Sequence, residues 1–295
     1  MISLLPLTST PDPSLNELGD QLRDLLGDET IVRLADEGST VVAEIAGVTI
    51  KVTLCEEPIP SEVLDGPLSA AWYWEEAAAV LRGHEAHLVV VISDPRLPVQ
   101  ETTDESVPEP VPENNPENQS EKGVIEIYPE APDAPALAED VIRYSVQDAL
   151  LLTRISLMLG SSCSALAVYW DGSTSVHSWS AFQESCSAMT PTNLPLRIWI
   201  DFRLWESQDG TRGLMTRGMS ALGQRELEVI GSTSSAQQIR AWSYTVAHYC
   251  LEKNKVLEHG QAVGISPKEW IRTWIVNSRL EPGTWSIWLD LEAEE

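Results

Sequence analysis

From Leu196 to Trp205 the side chains alternate without a break, with Leu196, Ile198, Ile200, Phe202 and Leu204 at one parity and Arg197, Trp199, Asp201, Arg203 and Trp205 at the other. A period of two is that of a pleated strand, whose successive side chains point to opposite faces. This stretch therefore predicts a strand with one face in a core. Past a turn at Gln208, Asp209 and Gly210, a second short strand is expected around 214–216, followed by Gly218, a helical turn through Leu222, a left-handed cap at Gly223 and a strand over 226–230. Gly218 and Gly223 fall where the backbone needs positive φ or a close approach.

The first third of the chain alternates strands and helices. Ile2 to Leu7 reads as a strand, and Ser14 with Glu17 forms a capping box before Leu15, Leu18, Leu22, Leu25 and Leu26, which recur at helical spacing. The segments 40–46 and 48–54 flank Gly47 as a hairpin, a second helix covers about 70–82, and 87–93 reads as a buried strand. The resulting order, β-α-β-β-α-β, predicts a ferredoxin-like first domain over residues 1–94. Trp72 and Trp74 straddle the start of the second helix and are expected to pack on the sheet.

Residues 95–135 are of another kind, rich in Pro, Glu and Asn and poor in apolar side chains, so they cannot repay their ordering entropy. A disordered acidic linker is expected over 95–122, with GVIEIY at 123–128 as a strand that opens a second α+β domain over 123–295. That domain is expected to hold a largely buried helix over 137–159, a strand over 165–170, the alternating unit above and a helix carrying Ile239, Trp242, Val246, Tyr249 and Cys250 on one stripe. Ser266, Pro267, Lys268 and Glu269 form a further capping box, after which 272–277 reads as a strand or as the continuation of a helical turn. The fold class is thus α+β, with two mixed domains.

Charge bounds the partners. Residues 1–93 hold 16 acids and 4 bases, 94–140 hold 13 and 2, 141–289 hold 12 and 13, and the last six hold 4 and none, giving −12, −11, +1 and −4 of the total −26. A surface so acidic in its first half repels nucleic acid phosphates and steers cationic partners toward itself; the plainer alternative is that the charge maintains solubility. No run approaches the roughly 20 apolar residues of a membrane span, and the first residues lack the basic and apolar regions of a secretory signal, so a cytoplasmic location is expected. Cys55, Cys163, Cys186 and Cys250 lie scattered, without a C-x-x-C pair, and read as free buried thiols rather than zinc ligands or disulfides.

The common catalytic motifs are absent: no G-x-S-x-G, Walker loop, G-x-G-x-x-G or H-E-x-x-H occurs. No catalytic residue, metal or cofactor is therefore assigned. Glu226 and Glu228, at i and i+2 on one strand, are about 7 Å apart, a separation that suits paired-carboxylate hydrolysis or a cation site. The alternative is a solvated strand face opposite buried Leu227 and Val229. His84, Glu85 and His87 have the wrong spacing for a helical metal site and read as a helix-to-strand junction with one imidazole bonded to backbone. Ser161, Ser162, Ser164, Ser178 and Ser180 lie near His177 in sequence, which does not establish triad geometry. Arg197, Trp199, Arg203 and Trp205 share one face of the alternating strand, and arginine with tryptophan is the combination enriched at binding hot spots; a helix covering that face is the competing account.

The pattern Thr216, Gly218, Met219, Leu222, Gly223, Glu226, Leu227, Glu228 resembles the signature of an uncharacterised bacterial family, domain of unknown function 4261. The resemblance extends back through Trp74, Glu76, Ala77, His87 and the run 88–92, and forward through 256–265. It implies a bacterial origin and a domain extent, and it carries no catalytic residue. Two function classes remain: a non-catalytic interaction module, of the immunity or adaptor kind, for a cationic protein partner; and a small-molecule-binding protein or hydrolase with Thr216, Arg217, Glu226 and Glu228 around a cleft.

Overall fold

The computed structural model describes residues 1–35, 38–98, 133–266 and 269–292. In the first half the elements are β1 (Ile2–Leu7), α1 (Leu15–Leu26), β2 (Ile31–Ala35), β3 (Thr40–Ile45), β4 (Val48–Cys55), α2 (Ser61–Ala70), α3 (Ala77–Leu81) and β5 (Ala86–Ser93). Then follow α4 (Glu139–Ser162), β6 (Ala167–Trp170), β7 (Ser175–Ser178), α5 (Trp179–Cys186), α6 (Leu196–Trp199), β8 (Asp201–Glu206), β9 (Arg212–Arg217), β10 (Glu226–Ser232), α7 (Ala236–Glu252), β11 (Gln261–Ser266), β12 (Glu269–Asn277) and β13 (Trp285–Asp290). They build two sheets, of order β2-β3-β4-β5-β1-β6-β7 and β11-β12-β13-β10-β9-β8, so the class is α+β. No helix among the described residues is long and apolar enough to cross a membrane.

Local signals act where they were read. Ser14 caps α1 reciprocally, its hydroxyl accepting from the Glu17 N–H while the Ser14 N–H donates to Glu17 Oε2 at 2.7 Å. Ala46 (φ 49°) and Gly47 (φ 85°) close the β3–β4 hairpin with two positive-φ residues, the geometry that matches strand twist in a two-residue loop.

The ferredoxin-like order is not what forms. An added strand, β2, precedes the hairpin, and the second helix is split into α2 and α3. The strands these helices join, β4 and β5, are immediate antiparallel neighbours, whereas a split β-α-β unit joins parallel strands with another inserted between them. The far side of β1 is then free to pair with β6, where Leu4 faces Tyr169 and Ser3 faces Trp170. The first sheet thus takes its last two strands from beyond residue 122.

Helix α4 is the shared element. Ile142, Ala149, Leu152, Ile155 and Leu159 on it are fully buried, and one apolar cluster runs from Leu5 and Val90 of the first sheet through α4 to Leu227 and Ile287 of the second. A smaller cluster of Ile59, Leu64, Leu81, Tyr169 and Val176 covers the other face of the first sheet under α2 and α3. Of the expected linker, residues 99–122 and the strand at 123–128 lie outside the described residues. Arg96, at its near edge, is tied to the folded chain: it donates to Asp94 at 2.5–2.9 Å and its guanidinium lies 4.1 Å from the Tyr144 ring centre on α4.

The alternating stretch divides in two. Leu196–Trp199 is one helical turn, with the Ile200 N–H donating to Leu196 O at 2.8 Å, and the strand begins only at Asp201. Over so few residues a helical turn after Pro195 buries Leu196 and Ile198 as well as a strand would. What decides is Trp199, fully buried, with its indole N–H donating to Thr153 Oγ1 at 2.9 Å and its ring stacked on Trp170 at 6.4 Å. At 269–277 the strand alternative holds, as β12.

Two outcomes follow from α4. Thr153→Val leaves the Trp199 indole N–H without a partner in the core and is expected to cost about 1–3 kcal/mol in urea unfolding. Asp148, 3% exposed, has its carboxyl pushed up to about 6 by burial and by Asp94, partly offset by the Met1 amino group and Arg96. With a folded pKa above the unfolded value of about 4, the folded state holds this proton more tightly, so stability is lost as pH rises between the two values. Asp148→Asn should stabilise the chain at pH 7 by more than at pH 4. A gain independent of pH would place the buried charge elsewhere.

Candidate functional site

Strands β9 and β10 are antiparallel, with Glu228 opposite Met215, and the chain between them turns through Gly218–Gly223. The Glu226 carboxylate closes this turn from inside. Oε2 accepts from Thr216 Oγ1 at 2.7 Å and the Met219 N–H at 3.2 Å; Oε1 accepts from the Gly218 N–H at 3.0 Å, the Ser220 N–H at 3.0 Å and Ser220 Oγ at 2.9 Å. Thr216 Oγ1 in turn accepts from the Leu227 N–H at 2.7 Å. A carboxylate offers about four acceptor sites, so five donors leave Glu226 none for water, a cation or a substrate proton.

The glycines let the turn approach the core. Gly218 has φ 119°, and a Cβ there would lie 2.2 Å from the Trp199 carbonyl oxygen; Gly223 has φ 77°, with Val141 Cγ1 and the Ile142 backbone at 3.0–3.3 Å. Both conformations are as the sequence predicts, and the close neighbours account for glycine beyond φ alone.

Glu228 is fully buried beneath the loop joining β12 and β13, where the Ser278 hydroxyl donates to it and the Arg279 N–H approaches at 3.4 Å. Arg217, half-buried, reaches the same loop through Glu281 at 3.6 Å and donates to Thr174 Oγ1 at 3.3 Å. The expectation of a solvated glutamate face is therefore corrected: both carboxylates are inside. Thr216 and Glu226 do meet, but in a bond that consumes both, and Glu228 is held by a different loop.

Arg197, Trp199, Arg203 and Trp205 do not share a face, because Trp199 belongs to the core and Arg197 to the α6 turn. Arg203 and Trp205 remain on the outer face of β8. Cross-strand pairing extends that face from Arg203 through Met215 and Glu228 to Trp288 and Trp274. The Trp205 ring lies over Gly213, where a Cβ would come within 2.1 Å of it. The Arg272 guanidinium sits 5.4 and 5.9 Å from the Trp270 and Trp274 ring centres, in cation–π range. Helix α7 packs on the opposite face, with Ile239, Val246 and Leu251 in the cluster that holds Leu227 and Ile287. Trp270, Arg272 and Trp274 of β12 and Trp288 of β13 were missed from sequence, although the spacing of two among the first three carried a signal.

The remaining candidates are structural. The Ile59 N–H donates to His84 Nε2 at 2.6 Å, so Nδ1 carries the proton and donates to Leu81 O; His87 Nδ1 donates to Glu57 O at 2.8 Å. Among the described residues no cluster of three His, Cys, Asp or Glu could hold a metal. His177 bonds not the serines nearest to it in the reading above but Ser175, 2.9 Å from Nε2, which is 2.6 Å from Ser173, which donates to Ile198 O at 3.1 Å. Run back from Ile198, each hydroxyl is the donor to the next, so Nε2 carries a proton and is no base toward Ser175. Burial pushes this imidazole down to about 4. All four cysteines are free; Cys163, Cys186 and Cys250 are buried, with thiols pushed up to about 11–12 by desolvation.

Residues 215–287 match the family model described as "Domain of unknown function (DUF4261)", a span running from Met215 through the glycine turn and both glutamates to Ile287 in β13. No curated protein and no solved structure matches the chain.

Replacing Glu226 by Gln exchanges one acceptor oxygen for an NH2 group that faces donors. Glu226→Gln is expected to destabilise by about 2 kcal/mol or more in urea unfolding, and Gly218→Ala to do at least as much. A stable Glu226→Gln protein would free this carboxylate for proton transfer instead.

Proposed function

We propose that the chain, which carries this domain of unknown function, is a non-catalytic protein-interaction module of bacteria, of the immunity or adaptor kind, acting in the cytoplasm on a cationic protein partner. The observation that carries the reading is the outer side of the second sheet, which Arg203, Trp205, Trp288, Trp274, Arg272 and Trp270 share, Arg203 exposed and the other five half-buried. Tryptophan and arginine are the residues that dominate binding energy at protein interfaces, and indole faces attract cations. The acidic first half supports the charge assignment: Asp20, Asp24, Asp28 and Glu29 are all exposed around the end of α1, and such a cluster raises the encounter rate of a basic partner.

The cleft reading loses its chemistry to the same geometry. A hydrolase built on Glu226 needs a lone pair to take up a proton, and those of Glu226 are occupied by Thr216, Ser220 and three backbone N–H groups.

The partner is to be identified by affinity capture from the native cell and mass spectrometry, and then tested with two variants. Changing Asp20, Asp24, Asp28 and Glu29 together to Lys should slow association several-fold and weaken its salt dependence, with little change in dissociation. Trp288→Ala should speed dissociation at least tenfold. Capture that is insensitive to the lysine changes and to salt near 0.5 M, where the Debye length is roughly 4 Å, would sink the electrostatic part; wild-type dissociation in Trp288→Ala would sink the aromatic part.

A further inference from the structure

A sheet ends in strands whose outer backbone groups lack a partner, and three of the four edges in this molecule are guarded. In the first sheet β7 is closed: the Tyr73 hydroxyl, on the turn where Trp74 packs as expected and Trp72 stays exposed instead, donates to Val176 O at 2.8 Å. In the second sheet β8 carries Asp201, Arg203 and Glu206, and β11 is bulged between Gly264 and Ser266. Charges and bulges keep foreign strands off an edge. The fourth edge, β2, is bare by comparison. Its register with β3 runs unbroken, and in its sequence, IVRLA, only Arg33 is charged and is drawn inward to Glu44 of β3 at 3.3 Å.

The register shows which groups this edge offers. Ile45 and Val48 close the two-residue loop of the β3–β4 hairpin and so exchange hydrogen bonds, and the Leu54 N–H donates to Ser39 O at 3.1 Å. Bonded pairs recur at every second residue of an antiparallel ladder, so the odd-numbered residues of β3 serve β4 and the even-numbered ones serve β2. Thr40, Val42 and Glu44 face Ala35, Arg33 and Ile31, which leaves the N–H and C=O of Val32 and Leu34 pointing out of the sheet. The side chains there are apolar and uncovered, Ile31 being 63% exposed and Leu34 44%. A Cβ on Gly19 would lie 3.2 Å from Val32 Cγ1, so Val32 and Leu34 look toward α1 and Ile31 looks away from it. Helix α1 and the turn after it set the charge. Arg23 is taken up by Asp20 at 2.7 Å and Arg33 by Glu44, whereas Asp24, Asp28 and Glu29 are exposed and pair with no base among the described residues.

We infer that β2 takes an extended, basic segment of the cationic partner as an eighth strand of the first sheet, bonded to the backbone of Val32 and Leu34, with apolar side chains beside Ile31 and lysine or arginine on the side of α1. The inference rests on the acidic end of α1 being where that partner arrives, and it adds the contact that holds it. In such strand addition main-chain bonds supply affinity and alternate side chains supply specificity. A second copy of the chain would bring a further −26 against the same corner, which opposes pairing β2 with itself; a basic strand lowers that charge.

The probe is a fluorescein-labelled octapeptide of alternating lysine and valine, titrated against the full chain by fluorescence anisotropy at 0.1 M salt, beside the same peptide with two adjacent central amides N-methylated. Methylation removes one donor from each edge of the peptide, leaves its charge, and tests the unaltered protein. The expected result is binding that weakens as salt rises and falls at least tenfold on methylation. It should fall as far in Leu34→Pro, whose missing N–H is one that faces outward, where an edge strand tolerates proline. Equal binding of the two peptides, or none at about 1 mM, overturns strand addition, and the first of these leaves the attraction of a basic partner standing. Undiminished binding in the variant changing Asp20, Asp24, Asp28 and Glu29 to Lys, with the methylation effect intact, overturns the charge reading and with it the basic occupant. A wild-type dimer in sedimentation equilibrium that Leu34→Pro dissociates gives the edge to a second copy and overturns the partner segment.

Discussion

The Glu226 carboxylate is the point on which the second half of the chain is built. It gathers three backbone N–H groups of a tight turn that have no partner in a sheet, together with the hydroxyls of Thr216 and Ser220. A buried charge without such partners would be strongly destabilising; with them, it converts an irregular loop into a rigid corner. That corner carries Gly218 against Trp199 and Gly223 against α4, and it is through α4 that the second sheet joins the first. The spacing Thr216, Gly218, Gly223, Glu226 is thus explained by folding, without recourse to catalysis.

Much of the fold was legible because short-range chemistry fixed it. The capping box at Ser14, the hairpin at Gly47, the positive φ of Gly218 and Gly223 and the apolar circumference of α4 are local, and each acts as read. The failures come from long-range contacts. Nothing near Ile2–Leu7 announces that this strand will pair with β6, some 165 positions later in register. Period two and a single helical turn bury the same residues over Leu196–Trp199, and only the Thr153 hydroxyl, waiting in another helix, selects between them.

The candidate site was legible in residue type more than in role. Thr216 and Glu226 were singled out and do touch, but their polarity serves the backbone. Arg203 and Trp205 were correctly set on one strand face, yet the rest of that face comes from β12 and β13, whose tryptophans carry no motif. Strand order is what converts separate alternations into one surface, and strand order is a property of the whole chain.

The sharing of α4 bears on how the molecule comes apart. Its buried residues belong at once to the interior under β1 and β5 and to the interior reached through α7, so neither sheet owns a complete apolar layer. Removing either one exposes the helix that the other needs. The two sheets, though separate as hydrogen-bonded units, are therefore bound to a common fate: partial unfolding that releases one without the other is disfavoured, and the molecule resists fraying by halves.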